Sequence, residues 1–92
     1  MAKARTQLIN DTAGRLKATR LALNYKKQYE FAQILGVDKT SYNLMEKRKR
    51  TVTLGVGLAL YEKFGVSLDW LFVGNAAQLP SHLVTKLVSR AA

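Results

Sequence analysis

The chain has no cysteine, which excludes a disulfide scaffold and a cysteine-rich zinc site. It has a single histidine, His82, which lies near the end beside Ser81 and far in sequence from Asp69. No metal cluster, glycine-rich phosphate loop or nucleophile motif can be assembled from the remaining residues. The expectation is therefore a protein that is not an enzyme and needs no cofactor. No run approaches the roughly 20 apolar residues of a membrane span, so no membrane partner is expected. The opening Met-Ala-Lys-Ala-Arg lacks the apolar core of a signal peptide, which makes the cytoplasm the expected compartment.

Acidic side chains are also scarce, six against fifteen basic ones, for a net charge of +9. Ten of the basic residues and three of the acidic ones fall between Arg15 and Arg50, so the positive field is local to that half of the chain. A solvated surface would explain a basic face in general. The apolar fraction of 48% suffices for a real core and argues against global disorder. Ninety-two residues make one domain with an appendage. A chain of that size buries only roughly 60–65% of its extended surface, so partner subunits can carry part of the stability.

The pattern along the chain is all-α. Residues 1–11 are polar without a clean period and read as a flexible arm. Asn10, Asp11 or Thr12 can cap a first helix over about 12–24, with Leu16, Thr19 or Arg20, and Leu23 on one face and Asn24 at its left-handed exit. A second helix covers Lys27 to Leu35, with Phe31 and Ile34 or Leu35 inward, and Gly36 stops it. Asp38 caps a third, which runs to about Lys47 with Tyr42 and Met45 inward. Lys39, Thr40, Asn43 and Leu44 then occupy its first, second, fifth and sixth positions on the outward side. Thr53 caps a fourth helix that ends at Gly65, with Leu54, Leu58, Tyr61 and Leu60 as its inward set. Gly55 and Gly57 within it imply close helix packing or a subunit contact. Ser67 caps a short fifth helix that Gly74 closes. After Pro80 comes a final helix whose stripe of Leu83, Leu87 and Val84 or Val88 must dock on the domain or on another copy.

Two strings, Leu35-Gly-Val-Asp-Lys-Thr-Ser-Tyr-Asn-Leu-Met-Glu46 and Phe64-Gly-Val-Ser-Leu-Asp-Trp-Leu-Phe-Val-Gly74, resemble the helix-turn-helix domain of the phage repressor and Cro type, the XRE family. The likeness covers roughly residues 15–74, and the order and separation of the two strings make it specific. It implies a lambda-repressor-like bundle of five helices over 12–74; residues 75–92, beyond the likeness, read as a linker and C-terminal helix and a candidate dimerisation element. It also implies binding of operator DNA as a two-fold dimer. Gln28 matches the polar residue early in the second helix that contacts a phosphate, and Glu46 matches a structural acid near the end of the third. Arg48-Lys-Arg50 matches the loop that approaches the DNA backbone. Three positions depart from the pattern. The turn Asn24-Tyr-Lys-Lys27 is one residue longer than usual, Arg48 stands where glycine is usual, and Leu44 stands where a long polar residue is common.

The chemistry of these positions follows from their side chains. Lysine can donate to guanine O6 and N7, asparagine can pair with adenine N6 and N7, and threonine can do either or touch a methyl group. Lys39, Thr40 and Asn43 are thus the candidate base-contacting residues, with Leu44 able to meet a thymine methyl or to pack at the core's edge. Arg20, Lys26, Lys27, Lys47, Arg48, Lys49 and Arg50 are candidate phosphate clamps, joined by Gln28, Tyr29 and Ser41. The other aromatic residues, at helical spacing, read as core. Trp70, Phe72, Leu83 and Leu87 are the candidate dimer contact. The expected partners are double-stranded DNA and a second copy, giving a repressor on a palindromic operator. The alternative is an antitoxin or other interaction module whose final helix binds a protein partner such as a toxin.

Overall fold

Helix α1, Ala2–Ala22, is the longest element of the fold. The computed structural model describes the backbone of residues 2–91 and the side chains of residues 12–87. The described backbone is helical wherever it is regular: α2 is Gln28–Leu35, α3 Lys39–Glu46 and α4 Leu54–Phe64. A single π-helical turn, α5, spans Asp69–Val73, and α6 is Ser81–Ala91. This is the all-α bundle expected from the sequence, with one difference at its start. Helix α1 begins at Ala2, so residues 10–12 lie inside it rather than at its start, and Thr12 is buried.

Both faces left open for α1 are inward, Thr19 as well as Arg20, together with Leu16. Asn24 takes the expected left-handed conformation at φ 71°. Gly36 does the same at φ 77°, where a side chain would be strained. The amide of Val37 returns there to Ala32 O, and its side chain packs on the core. Asp38 caps α3 by accepting from Ser41 N at 2.9 Å, and Thr53 caps α4 by accepting from Val56 N at 3.2 Å. The core between α2, α3 and α4 is aromatic. Phe31 lies 5.1 Å from Tyr25, 5.8 Å from Tyr42 and 5.9 Å from Phe64, centroid to centroid.

Two faces differ from the sequence reading. In α4 the buried residues are Val56, Gly57 and Leu60, whereas Leu54, Leu58 and Tyr61 are exposed. This helix is apolar nearly all round, so its period offers two stripes and cannot choose between them. The tertiary packing chooses: Gly57 lets Phe72 and Leu68 approach so closely that a Cβ would lie 2.7 Å from the Phe72 ring. The second difference concerns the expected dimer contact. Trp70, Leu83 and Leu87 are buried in the chain's own core, and Phe72 is half-buried against it. Helix α6 lies on α1, so its stripe is covered within the monomer. Trp70 is fastened to α1 as well, its Nε1 donating to Thr19 Oγ1 at 3.3 Å, while Arg15 Nε donates to Leu71 O at 3.0 Å.

Candidate nucleic-acid interface

Helices α2 and α3 are set against each other by the turn at Gly36, and this brings the start of α2 beside the outer face of α3. An open cleft of about 450 Å³ lies between them, lined by Lys27, Gln28, Tyr29, Lys39, Thr40 and Asn43. These six were singled out from the sequence on two separate elements, and the fold gathers them on one surface. Lys39 and Thr40 are exposed, and Asn43 is half-buried. Tyr29 is 50% exposed, with the Lys27 ammonium 5.9 Å from its ring centroid. Leu44 is half-buried, between its two expected environments.

The basic run after α3 is exposed throughout, as are Lys26 and Lys27. It does not all point one way. Arg50 folds back to the first turn of α3, its Nη1 donating to Ser41 Oγ at 2.8 Å. Asp38 sits at the same turn, and the hydrogen bond from Ser41 N holds its carboxyl below the usual value, with Arg50 adding a smaller effect in the same direction. Arg48 has φ 65°, a left-handed conformation unusual for a side chain with a Cβ, and its guanidinium lies beside Gly14 of α1.

Arg20 does not stand with the phosphate set. It is 4% exposed and binds Glu46 in a two-pronged pair, Nε to Oε2 at 2.8 Å and Nη2 to Oε1 at 3.1 Å. Its Nη1 donates to Tyr25 O and Lys26 O, both at 2.8 Å, which satisfies the carbonyls of the extended turn between α1 and α2. Glu46 keeps the guanidinium charged, raising its pKa against the opposing effect of burial. The same carboxylate accepts from Gln28 Nε2 at 2.9 Å, and Gln28 Oε1 accepts from Asn43 Nδ2 at 2.7 Å. Beside this group the Tyr42 hydroxyl is buried without a hydrogen-bond partner among the described residues, and burial pushes its pKa far up.

The sequence contained no signal that Arg20 and Glu46 pair, since the two lie on different helices. It also contained none that Gln28 turns toward α3 as well as toward solvent. No group of His, Asp and Glu that could hold a metal ion occurs among the described residues. No helix among them is long and apolar enough to cross a membrane.

Residues 16–71 match a protein-family model described as helix-turn-helix, which covers the first string, the second as far as Leu71, and the cleft between α2 and α3. Compared with curated proteins and with solved structures, the chain finds no match.

Proposed function

Because the chain belongs to the helix-turn-helix family, and so carries a domain capable of DNA binding, we propose that it is a sequence-specific regulator that lays α3 in the major groove of double-stranded DNA. The observation that carries the reading is the joint cleft. Lys39, Thr40 and Asn43 of α3 share one open surface with Lys27, Gln28 and Tyr29 of α2. A helix presenting Lys39, Thr40 and Asn43 on one open surface, flanked by cations that can meet the phosphates on either side, suits base edges at the centre and backbone at the rim. Lys26, Lys27, Lys47, Lys49 and Arg50 are the phosphate contacts in this reading, and Lys39, Thr40 and Asn43 are the base contacts. Leu44 is apolar and meets a thymine methyl.

The regulator acts as a homodimer on a palindromic operator and represses by occupying a promoter. With Trp70, Leu83 and Leu87 taken up by the core, the dimer contact falls instead on the exposed row Leu54, Leu58 and Tyr61 of α4. Two copies of a chain of charge +9 repel each other over much of their surface, whereas residues 51–61 carry no charge at all.

Selection of bound duplexes from a random pool tests the reading. The expected product is an inverted repeat whose half-sites lie about 34 Å, one helical turn, apart. Affinity for it should exceed that for random duplex by at least a thousandfold at fixed salt and should fall steeply as salt rises. Equal affinity for all duplexes would refute sequence-specific regulation.

A further inference from the structure

A directed chain of hydrogen bonds runs from the interior of the domain to the reading cleft. It begins at Glu46, whose carboxylate is paired with Arg20 where the two side chains are 3% and 5% exposed. An ionised carboxylate can only accept. Gln28 must therefore turn its amide nitrogen toward Glu46, which it does at 2.9 Å. Its Oε1 is then the group presented to Asn43, and an oxygen there can only accept as well. Asn43 must in turn direct its own nitrogen inward, at 2.7 Å. Asn43 Oδ1 takes no hydrogen bond among the described residues, and Asn43 borders the cleft beside Lys39 and Thr40.

We propose that this relay makes Asn43 an adenine-reading residue, with Gln28 and Glu46 as the positioning residues that set the polarity of its amide. In this arrangement the N–H of Asn43 remote from Oδ1 goes to Gln28, and the N–H next to Oδ1 stays free. The cleft thus meets an acceptor and a donor side by side in a fixed order. In the major groove adenine offers a donor, N6, beside an acceptor, N7. Guanine offers two acceptors, cytosine a donor without the neighbouring N7, and thymine an acceptor beside a methyl group. Adenine alone satisfies both groups. An amide without the relay could rotate and offer its nitrogen to guanine O6, so the buried carboxylate, which never touches DNA, excludes guanine from this position. The inference rests on the docking of α3 in the major groove proposed above.

The test compares the full-length wild type with Asn43→Ala and Gln28→Leu. Each is titrated with the duplex selected from the random pool and with a set in which every adenine is replaced in turn by guanine. The wild type should prefer adenine by roughly ten- to a hundredfold at one base pair of each half-site. Asn43→Ala should lose that preference and no other. Gln28→Leu should lose the same preference although Asn43 is intact, while discrimination at the remaining positions persists. If Gln28 served only as a phosphate contact or a packing residue, its removal would weaken all duplexes alike and leave the preference in place, which overturns the proposal. So does an Asn43→Ala variant with every preference unchanged. A thermal melt confirms that each variant is folded. In the free protein the side-chain NH2 signals of Asn43 should be shifted and slow to exchange, and should revert in Gln28→Leu. Freely exchanging signals in the wild type would mean that the relay does not exist. A pool that yields no sequence overturns the docking reading and the proposal with it, whereas a selected sequence still read normally by Gln28→Leu overturns the proposal alone.

Discussion

Arg20 and Glu46 show what a single residue's surroundings can do to its role. By type and position Arg20 belongs to the basic face, yet it is the most buried cation among the described residues and closes a turn from inside. Removing one partner of such a pair leaves a charge stranded in the interior. Glu46→Ala is expected to cost about 3 kcal/mol in urea unfolding, at the lower end for a broken buried pair because Arg20 keeps its two carbonyl acceptors. Arg48 presents the opposite case. Its φ of 65° costs roughly 1 kcal/mol for a residue with a Cβ, so Arg48→Gly should raise the unfolding free energy by up to that amount. A lowered urea midpoint would mean that the contact of the guanidinium with α1 at Gly14 outweighs the backbone strain.

At the scale of the element, α4 carries two glycines that the sequence could not tell apart. An alanine at Gly55 would meet nothing nearer than Thr53 Oγ1 at 3.8 Å, and one at Gly57 would press on Phe72 and Leu68. Both substitutions improve helix propensity by about 1 kcal/mol. Only the second adds the strain of overpacking, typically about 1–3 kcal/mol. Gly55→Ala should therefore raise the melting temperature by a few degrees, and Gly57→Ala should lower it. Equal shifts in the two variants would show that the approach of α5 to α4 relaxes freely. The two alternatives read for these glycines, helix packing or a subunit contact, thus part company: Gly57 serves packing. Gly55 faces open space on the same helix as the exposed row.

Across the whole molecule, the question is which apolar surface belongs to the core and which is offered outward. Leu83 is 1% exposed, so Leu83→Ala should destabilise the monomer by about 2–5 kcal/mol in urea unfolding, whatever the oligomeric state. Leu58 is 41% exposed, and Leu58→Glu should leave the folded monomer's stability nearly unchanged while abolishing self-association in sedimentation. A monomeric wild type at tens of micromolar, or a dimer that survives Leu58→Glu, would remove the α4 row from the dimer.

Local signals determined much of this protein. The end of α2, the start of α3 and both ends of α4 follow from Gly36, Asp38, Thr53 and Gly65, because caps and left-handed exits depend on residues within a few positions of one another. The outward placement of Lys39 and Thr40 follows from the cap at Asp38 by counting along a helix. The start of α1 escaped, since a polar stretch has no period to announce a helix that its neighbours extend. The tertiary structure decided what no local rule reaches: which stripe of an all-apolar helix faces inward, whether the stripe of α6 is covered by its own chain, and whether a given cation is buried or free. Each of these depends on contacts between residues far apart in sequence, where the gain from burial is shared among elements and the pattern within any one of them is silent. The hydrogen-bond order from Arg20 through Glu46 and Gln28 to Asn43 is of this second kind, because three helices must meet before an amide acquires a direction.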